Sequence, residues 1–120
     1  MPIVDVAAKF EPEVLKANKR NEATMHLSLK NVDESKTFWC ECDIKVNPPL
    51  SLAYDKELNI GHARVGILKP NRSMIKQIKL YTRPNNFPDN YALNITAYVY
   101  DEDGAIAERI EYNASIRCDD

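Results

Sequence analysis

Glycine is scarce in this chain: Gly61, Gly66 and Gly104 are the only three in 120 residues. That scarcity excludes a glycine-rich loop cradling phosphate, and no Gly-x-Ser-x-Gly elbow presents a nucleophile. Histidine is as rare, with only His26 and His62. Nucleophilic catalysis needs a base within reach of an activated Ser or Cys, so we expect no enzyme and no cofactor. The three cysteines, Cys40, Cys42 and Cys118, are an odd number. An odd count argues against a closed disulfide framework and agrees with a reducing compartment, so a cytoplasmic location is expected. No apolar run reaches the roughly 18 residues of a membrane span. Met1 to Asp5 lacks a basic segment followed by an apolar one, so no secretory leader is read there. A formal net charge of −2 gives no electrostatic case for nucleic acid. The short basic cluster Lys16, Lys19 and Arg20 reads as a solvated loop.

What the chain does have is short runs of alternating apolar and polar residues, split by turn residues. Ile3 to Phe10 places Val4, Val6, Ala8 and Phe10 on one face, and Glu11-Pro12 ends it. Val14 to Glu22 reads as a short edge segment followed by a loop. Ala23 to Asn31 turns Met25, Leu27 and Leu29 inward, and Thr37 to Val46 does the same with Phe38, Cys40, Cys42, Ile44 and Val46. Asn47-Pro48-Pro49 stops that strand, since Pro cannot donate to a ladder. Leu50 to Ala53 reads as a short strand, and His62 to Leu68 as one with Ala63, Val65 and Ile67 on one face. Ser73 to Thr82 is strand-like with a phase slip between Ile75 and Ile78, for which a bulge is expected. Tyr91 to Tyr100 sends Tyr91, Leu93, Ile95, Ala97 and Val99 one way. Asp101-Glu102-Asp103-Gly104 makes a hairpin, and Ala105 to Cys118 closes the chain with Ile110, Tyr112, Ala114, Ile116 and Cys118 on one face.

Seven or eight strands without a long helix, in a chain of one-domain length, predict an all-β sandwich of two antiparallel sheets over residues 1–120. An up-and-down barrel is the rival; the Pro-rich link Arg83 to Asn90 suits a crossing between sheets. Leu68-Lys69-Pro70-Asn71-Arg72-Ser73, Phe87-Pro88-Asp89-Asn90-Tyr91-Ala92-Leu93-Asn94-Ile95 and Leu27-Ser28-Leu29-Lys30-Asn31-Val32 resemble turn and strand-entry patterns of bacterial and archaeal immunoglobulin-like modules such as the CARDB family. The resemblance implies an immunoglobulin-like β-sandwich and a spacer or binding role, and it brings no catalytic residues. In such domains a Tyr at the start of the sixth strand bonds back to the preceding corner, the place Tyr91 occupies.

Cys40 and Cys42 share one strand face with Phe38 and Ile44, which makes them core residues. A metal or redox pair there is the distant alternative, because His26, His62 and Cys118 would have to complete it. The acidic hairpin could meet Asp33 and Glu34 at the same end, but it reads as a plain turn. Asn71-Arg72-Ser73, Asn94-Ile95-Thr96 and Asn113-Ala114-Ser115 match the glycosylation sequon and are read as chance, given how many Asn the chain contains. The informative group is aromatic. Trp39 faces opposite Cys40, and Tyr98 and Tyr100 face opposite Val99. Antiparallel pairing of the third and sixth strands would bring these three together on an outer sheet face. Arg109 would join them by stacking. Trp, Tyr and Arg are the residues enriched at binding hot spots. Either a partner covers this face, or the N-terminal segment or the Val14 region folds over it. The expected function is a protein–protein interaction or structural module, with a homodimer as one form. A carbohydrate- or small-ligand-binding accessory domain is the alternative.

Overall fold

In the computed structural model, which describes residues 3–120, alternating sequence becomes paired strand almost throughout. The elements run β1 Val4–Glu11, β2 Val14–Lys16, β3 Asn21–Asn31, β4 Phe38–Val46, β5 Ile60–Leu68, β6 Ser73–Thr82, β7 Asp89–Tyr100 and β8 Ile106–Asp119. Two separate sheets form. One has the order β1-β3-β6; the other has the order β2-β8-β7-β4-β5. Both are antiparallel except where β2 runs parallel to the end of β8. The barrel is excluded, because the two sheets share no backbone ladder.

The core is the period-two code made physical. Met25, Leu27 and Leu29 of β3 meet Cys40, Cys42 and Ile44 of β4 and Leu93, Ile95 and Val99 of β7 between the sheets. Burying one such Leu or Ile stabilises the fold by about 1.5–3 kcal/mol, and apolar packing joins the sheets with all three cysteines free. At one end, buried Asn31 ties the turn after β3 to β5: its Nδ2 donates to Lys36 O at 2.7 Å and Leu68 O at 3.1 Å.

Three strand expectations need correcting. Leu50 to Ala53 is no strand; only Ser51 pairs, as an isolated bridge to Tyr81. β6 carries no bulge, since its register with β3 is continuous from Ser73↔Lys30 to Thr82↔Asn21. The phase slip arose because Ile75 points outward while Lys76 takes the inward phase opposite Leu27. Finally, Ile67 does not share the face of Ala63 and Val65, which are buried. The register of β4 with β5 shifts between Cys40↔Gly66 and Glu41↔Arg64, so Val65 is the extra residue of a bulge and Gly66 takes φ 114°. A one-residue slip moves every later side chain to the other face. Leu68 therefore enters the core in place of Ile67, which is 57% exposed.

Candidate functional site

The register of β4 with β7 decides what stands on the outer face of the five-stranded sheet. Trp39 pairs with Tyr100 and Glu41 with Tyr98; Tyr98 in turn pairs with Arg109 of β8. Paired residues share a sheet face, so Trp39, Tyr98, Tyr100 and Arg109 all stand on the outer side. Two further residues join them through bulges. On one side the β5 bulge sets Ile67 beside Trp39. On the other, β8 shifts register so that Tyr100 pairs with Ile106 and Val99 with Glu108, leaving Ala107 unpaired. Without that shift, Ile106 would share the inward phase of Ile110 and Tyr112. The result is a row running Ile67, Trp39, Tyr100, Ile106 across β5, β4, β7 and β8. Ile67, Trp39 and Ile106 are 57%, 37% and 60% exposed. Sequence alternation missed both isoleucines; a Gly inside a strand run, as at Gly66, was the available sign of the first bulge.

The remaining rows of this face are mostly polar, with Ile60, 65% exposed and paired with Lys45, as the apolar exception in the fourth. Arg64, Glu41, Tyr98 and Arg109 make the second. Arg109 does not stack on the aromatic rings as expected: its Nη2 bonds Glu111 Oε1 at 3.2 Å, because a carboxylate two residues along the same strand face is its closest complement. Arg64 Nε lies 3.8 Å from Glu41 Oε1. In the third row His62 Nδ1 meets Asp43 Oδ1 at 2.7 Å, and its Nε2 lies 3.5 Å from Glu41 Oε2. Asn94 Nδ2 donates to Asn113 Oδ1 at 2.6 Å in the fourth. An open groove of about 440 Å³ lies over Asp43, His62, Asn94 and Thr96.

No described segment covers the row. β1 belongs to the opposite sheet, and β2 pairs with Arg117 to Asp119 at the far end of β8. The expected internal cover by the N-terminal segment or the Val14 region is thus not found among the described residues, because both segments find edge pairings elsewhere.

The other candidates disperse. Cys40, Cys42 and Cys118 are buried, and burial pushes the Cys40 thiol up to about 11. Cys42 is pushed to about 12 by burial, then by the neighbouring Cys40 and Asp43 charges. Such thiols are neutral, poorly nucleophilic core groups. His26 is on the outer side of the three-stranded sheet, 3.4 Å from Glu11 Oε2, and His62 is on the outer side of the other. The structure therefore does not bring the soft ligands together, and no group of three metal-binding side chains converges among the described residues. The Asp101–Gly104 hairpin is held by its own hydrogen bonds, with Asp101 Oδ1 accepting from the Asp103 and Ala105 N–H groups and Asp101 O from the Gly104 N–H. Asp33 accepts from the Ser35 and Lys36 N–H groups, which hold its carboxyl below the ordinary range. Tyr91 occupies its corner: the hydroxyl donates to Phe87 O, and the Phe87 N–H donates back at 3.1 Å. Asn86, 3% exposed, escaped the sequence reading altogether. Its Nδ2 donates to Lys19 O and Arg83 O, both at 2.6 Å, and its Oδ1 accepts from Asn18 N–H at 3.1 Å.

No protein-family model matches the chain, and no curated protein matches its sequence. Solved structures do resemble it. A part of alpha-2-macroglobulin from E. coli superposes with TM-score 0.65 at 13% identity, over 99% of this chain and 7% of that much longer one. A non-cellulosomal cohesin from the archaeon Archaeoglobus fulgidus gives TM-score 0.57 at 17% identity, over 99% of this chain and 93% of its own. A CARDB domain from Pyrococcus furiosus, solved in complex with di-metal ions, gives 0.50 at 17% identity, over 94% and 88% of the two chains. These likenesses show the fold, an immunoglobulin-like β-sandwich.

Proposed function

We propose that this immunoglobulin-like sandwich is a non-enzymatic contact module that self-associates through the outer face of its five-stranded sheet. The observation that carries the reading is the uncovered row Ile67, Trp39, Tyr100, Ile106. Its order is aliphatic, aromatic, aromatic, aliphatic, and it is symmetric about the seam between β4 and β7. A two-fold interface must be self-complementary. An axis along that seam sets Trp39 against the second copy's Tyr100 and Ile67 against its Ile106. It also sets His62 against Glu111. Arg64 then faces Arg109, but each guanidinium brings a carboxylate of its own, Glu41 and Glu111. Strands about 4.8 Å apart and rows about 6.8 Å apart give the four-by-four face a footprint of roughly 500 Å². Two copies together reach about 1,000 Å², the lower bound for a specific interface. The free thiols suit work in a reducing compartment such as the cytoplasm.

Light scattering behind a sizing column tests this. The expected result is twice the chain mass at high protein concentration, falling to one chain mass for Trp39→Ala and unchanged for Ser28→Ala on the opposite sheet. A protein that stays monomeric at millimolar concentration overturns self-association. A carbohydrate seat is the second reading, favoured by the groove on the aromatic face, in which Asp43, His62, Asn94 and Thr96 stand beside the apolar Ile60. Glycan-array binding that Tyr98→Ala abolishes, in a monomeric protein, would establish it.

A further inference from the structure

The three-stranded sheet ends in β6, a strand of ten residues whose outer backbone edge is covered, among the described residues, at one point only. That point is informative. Ser51 and Tyr81 exchange both backbone hydrogen bonds, each at 2.8 Å, so this edge already accepts a strand. Tyr81 therefore directs its N–H and C=O away from β3. Alternation along an antiparallel ladder assigns the same outward direction to Lys79, Gln77 and Ile75. The bond from Asn31 N–H to Arg72 O, at 2.9 Å, fixes the complementary parity on the inner side. After Leu52 the chain turns back on itself, with Leu52 N–H bonding Leu58 O at 2.8 Å, and leaves those outward groups without a strand.

Beside this edge runs a groove of about 330 Å³, between β6 and the equally free edge of β5. Leu52, Leu58 and Ile78 supply apolar wall, and Arg64, Lys76 and Lys79 supply positive charge. Lys79 and Arg64 have loose partners, Glu22 at 3.9 Å and Glu41 at 3.8 Å. Lys76 has no carboxylate within 4.0 Å among the described residues. It stands on the inward phase, one pair along from Ile78. A lysine in that position repels a wholly apolar strand and a second β6 edge alike. It accepts a strand that places a carboxylate opposite it, which is discrimination by charge.

We propose that the free edge of β6 binds an extended acidic peptide by strand addition over Ile75 to Lys79. The peptide places an apolar side chain beside Ile78 and a carboxylate beside Lys76. Main-chain bonds to Ile75, Gln77 and Lys79 supply affinity, and the groove supplies selectivity. This site shares Arg64 with the aromatic face, but its main-chain bonds come from β6 in the other sheet, so it does not depend on self-association.

The probe is the synthetic peptide Thr-Val-Thr-Glu-Thr-Val-Thr, which sets valine and glutamate two residues apart on one face as Ile78 and Lys76 require, with Thr-Val-Thr-Lys-Thr-Val-Thr as comparison. Amide hydrogen exchange read by NMR should slow at Ile75, Gln77 and Lys79 with the glutamate peptide. It should not change at Lys76 and Ile78, whose N–H groups already bond β3. Gln77→Pro deletes an outward N–H and no inner bond, so the fold is kept. Affinity should fall about tenfold, the equivalent of 1.4 kcal/mol. The double variant Lys76→Glu, Lys79→Glu should reverse the preference between the two peptides, which keeps the proposal testable if the proline variant fails to fold. Failure of the glutamate peptide to bind, equal binding of both peptides, or protection on the β1 or β5 edge overturns the proposal.

Discussion

At the scale of single residues, the side-chain amide of Asn86 satisfies backbone groups of two different segments, Asn18 to Lys19 and Arg83. Removing it takes the partner from several part-buried backbone groups, at up to roughly 1–3 kcal/mol each before relaxation and solvation. Asn86→Ala is therefore expected to lower the unfolding free energy by about 2–4 kcal/mol in urea titration. Nothing in the local sequence marked it, because Asn in a Pro-rich link reads as loop whether or not it is buried. Tyr91 was legible, since a corner Tyr is tied to the strand it begins. The thiols were legible too, by sharing a face with Phe38 and Ile44. Their titration gives a signed expectation. Cys40 and Cys42 sit near 11 and 12 in the fold against an ordinary 9.0, so the fold favours the neutral thiols. That stabilisation is complete below pH 9 and is lost as pH rises towards the folded values. Cys42→Ala should show a shallower alkaline fall in thermal stability than the parent chain. Reagent labelling of the native protein at pH 8 should leave all three buried cysteines unreacted until denaturant is added.

At the scale of elements, alternation located β3, β4 and β7 closely, because both flanking strands keep their register along most of the length. It failed at Ile67 in β5, and in β8 it placed Ile110 to Cys118 on one face but did not place Ile106, because each strand carries an extra residue against its neighbour. Gly66 makes the β5 bulge possible: its φ of 114° is a conformation that side chains with a Cβ rarely adopt. A Cβ added there meets only the flexible end of Met74, at 3.6 Å, so the cost of substitution is conformational rather than steric. Gly66→Ala should cost about 1–2 kcal/mol of stability by thermal or urea unfolding. Deleting Val65 should remove the bulge and keep Ile67 beside Trp39 on the outer face, because Gly66 then follows Arg64 in simple alternation, so the dimer on the sizing column should persist. In β6 the misleading sign was Ile75, an apolar residue on the solvent side, where a lone exposed hydrophobe is ordinary.

At the scale of the molecule, the two sheets enclose one core and leave Ile67, Trp39, Tyr100 and Ile106 in a row on the outer face of the larger sheet. If that row meets its copy about the β4–β7 seam, Ile67 and Ile106 are partners in the same contact. Ile67→Lys and Ile106→Lys should then weaken dimerisation by similar factors, and pairing one variant with the other should not rescue it, since two lysines would face each other. Ile67→Lys mixed with Ile106→Glu should restore association through opposite charges. Equal weakening without that rescue would point to a different axis on the same face.

Local sequence determined the strand content, the inward thiols, the corner at Tyr91 and the outward sense of Trp39, Tyr98 and Tyr100. Each depends on a two-residue period or a neighbouring turn, and both are written along the chain. Tertiary structure decided which strands lie side by side, where β5 and β8 slip by one residue, that β1 pairs in the other sheet, and that Asn86 is buried. Those outcomes depend on pairing between distant segments, whose parity no single strand carries. The outward row therefore gained Ile67 and Ile106 and escaped cover only once the sheets were assembled.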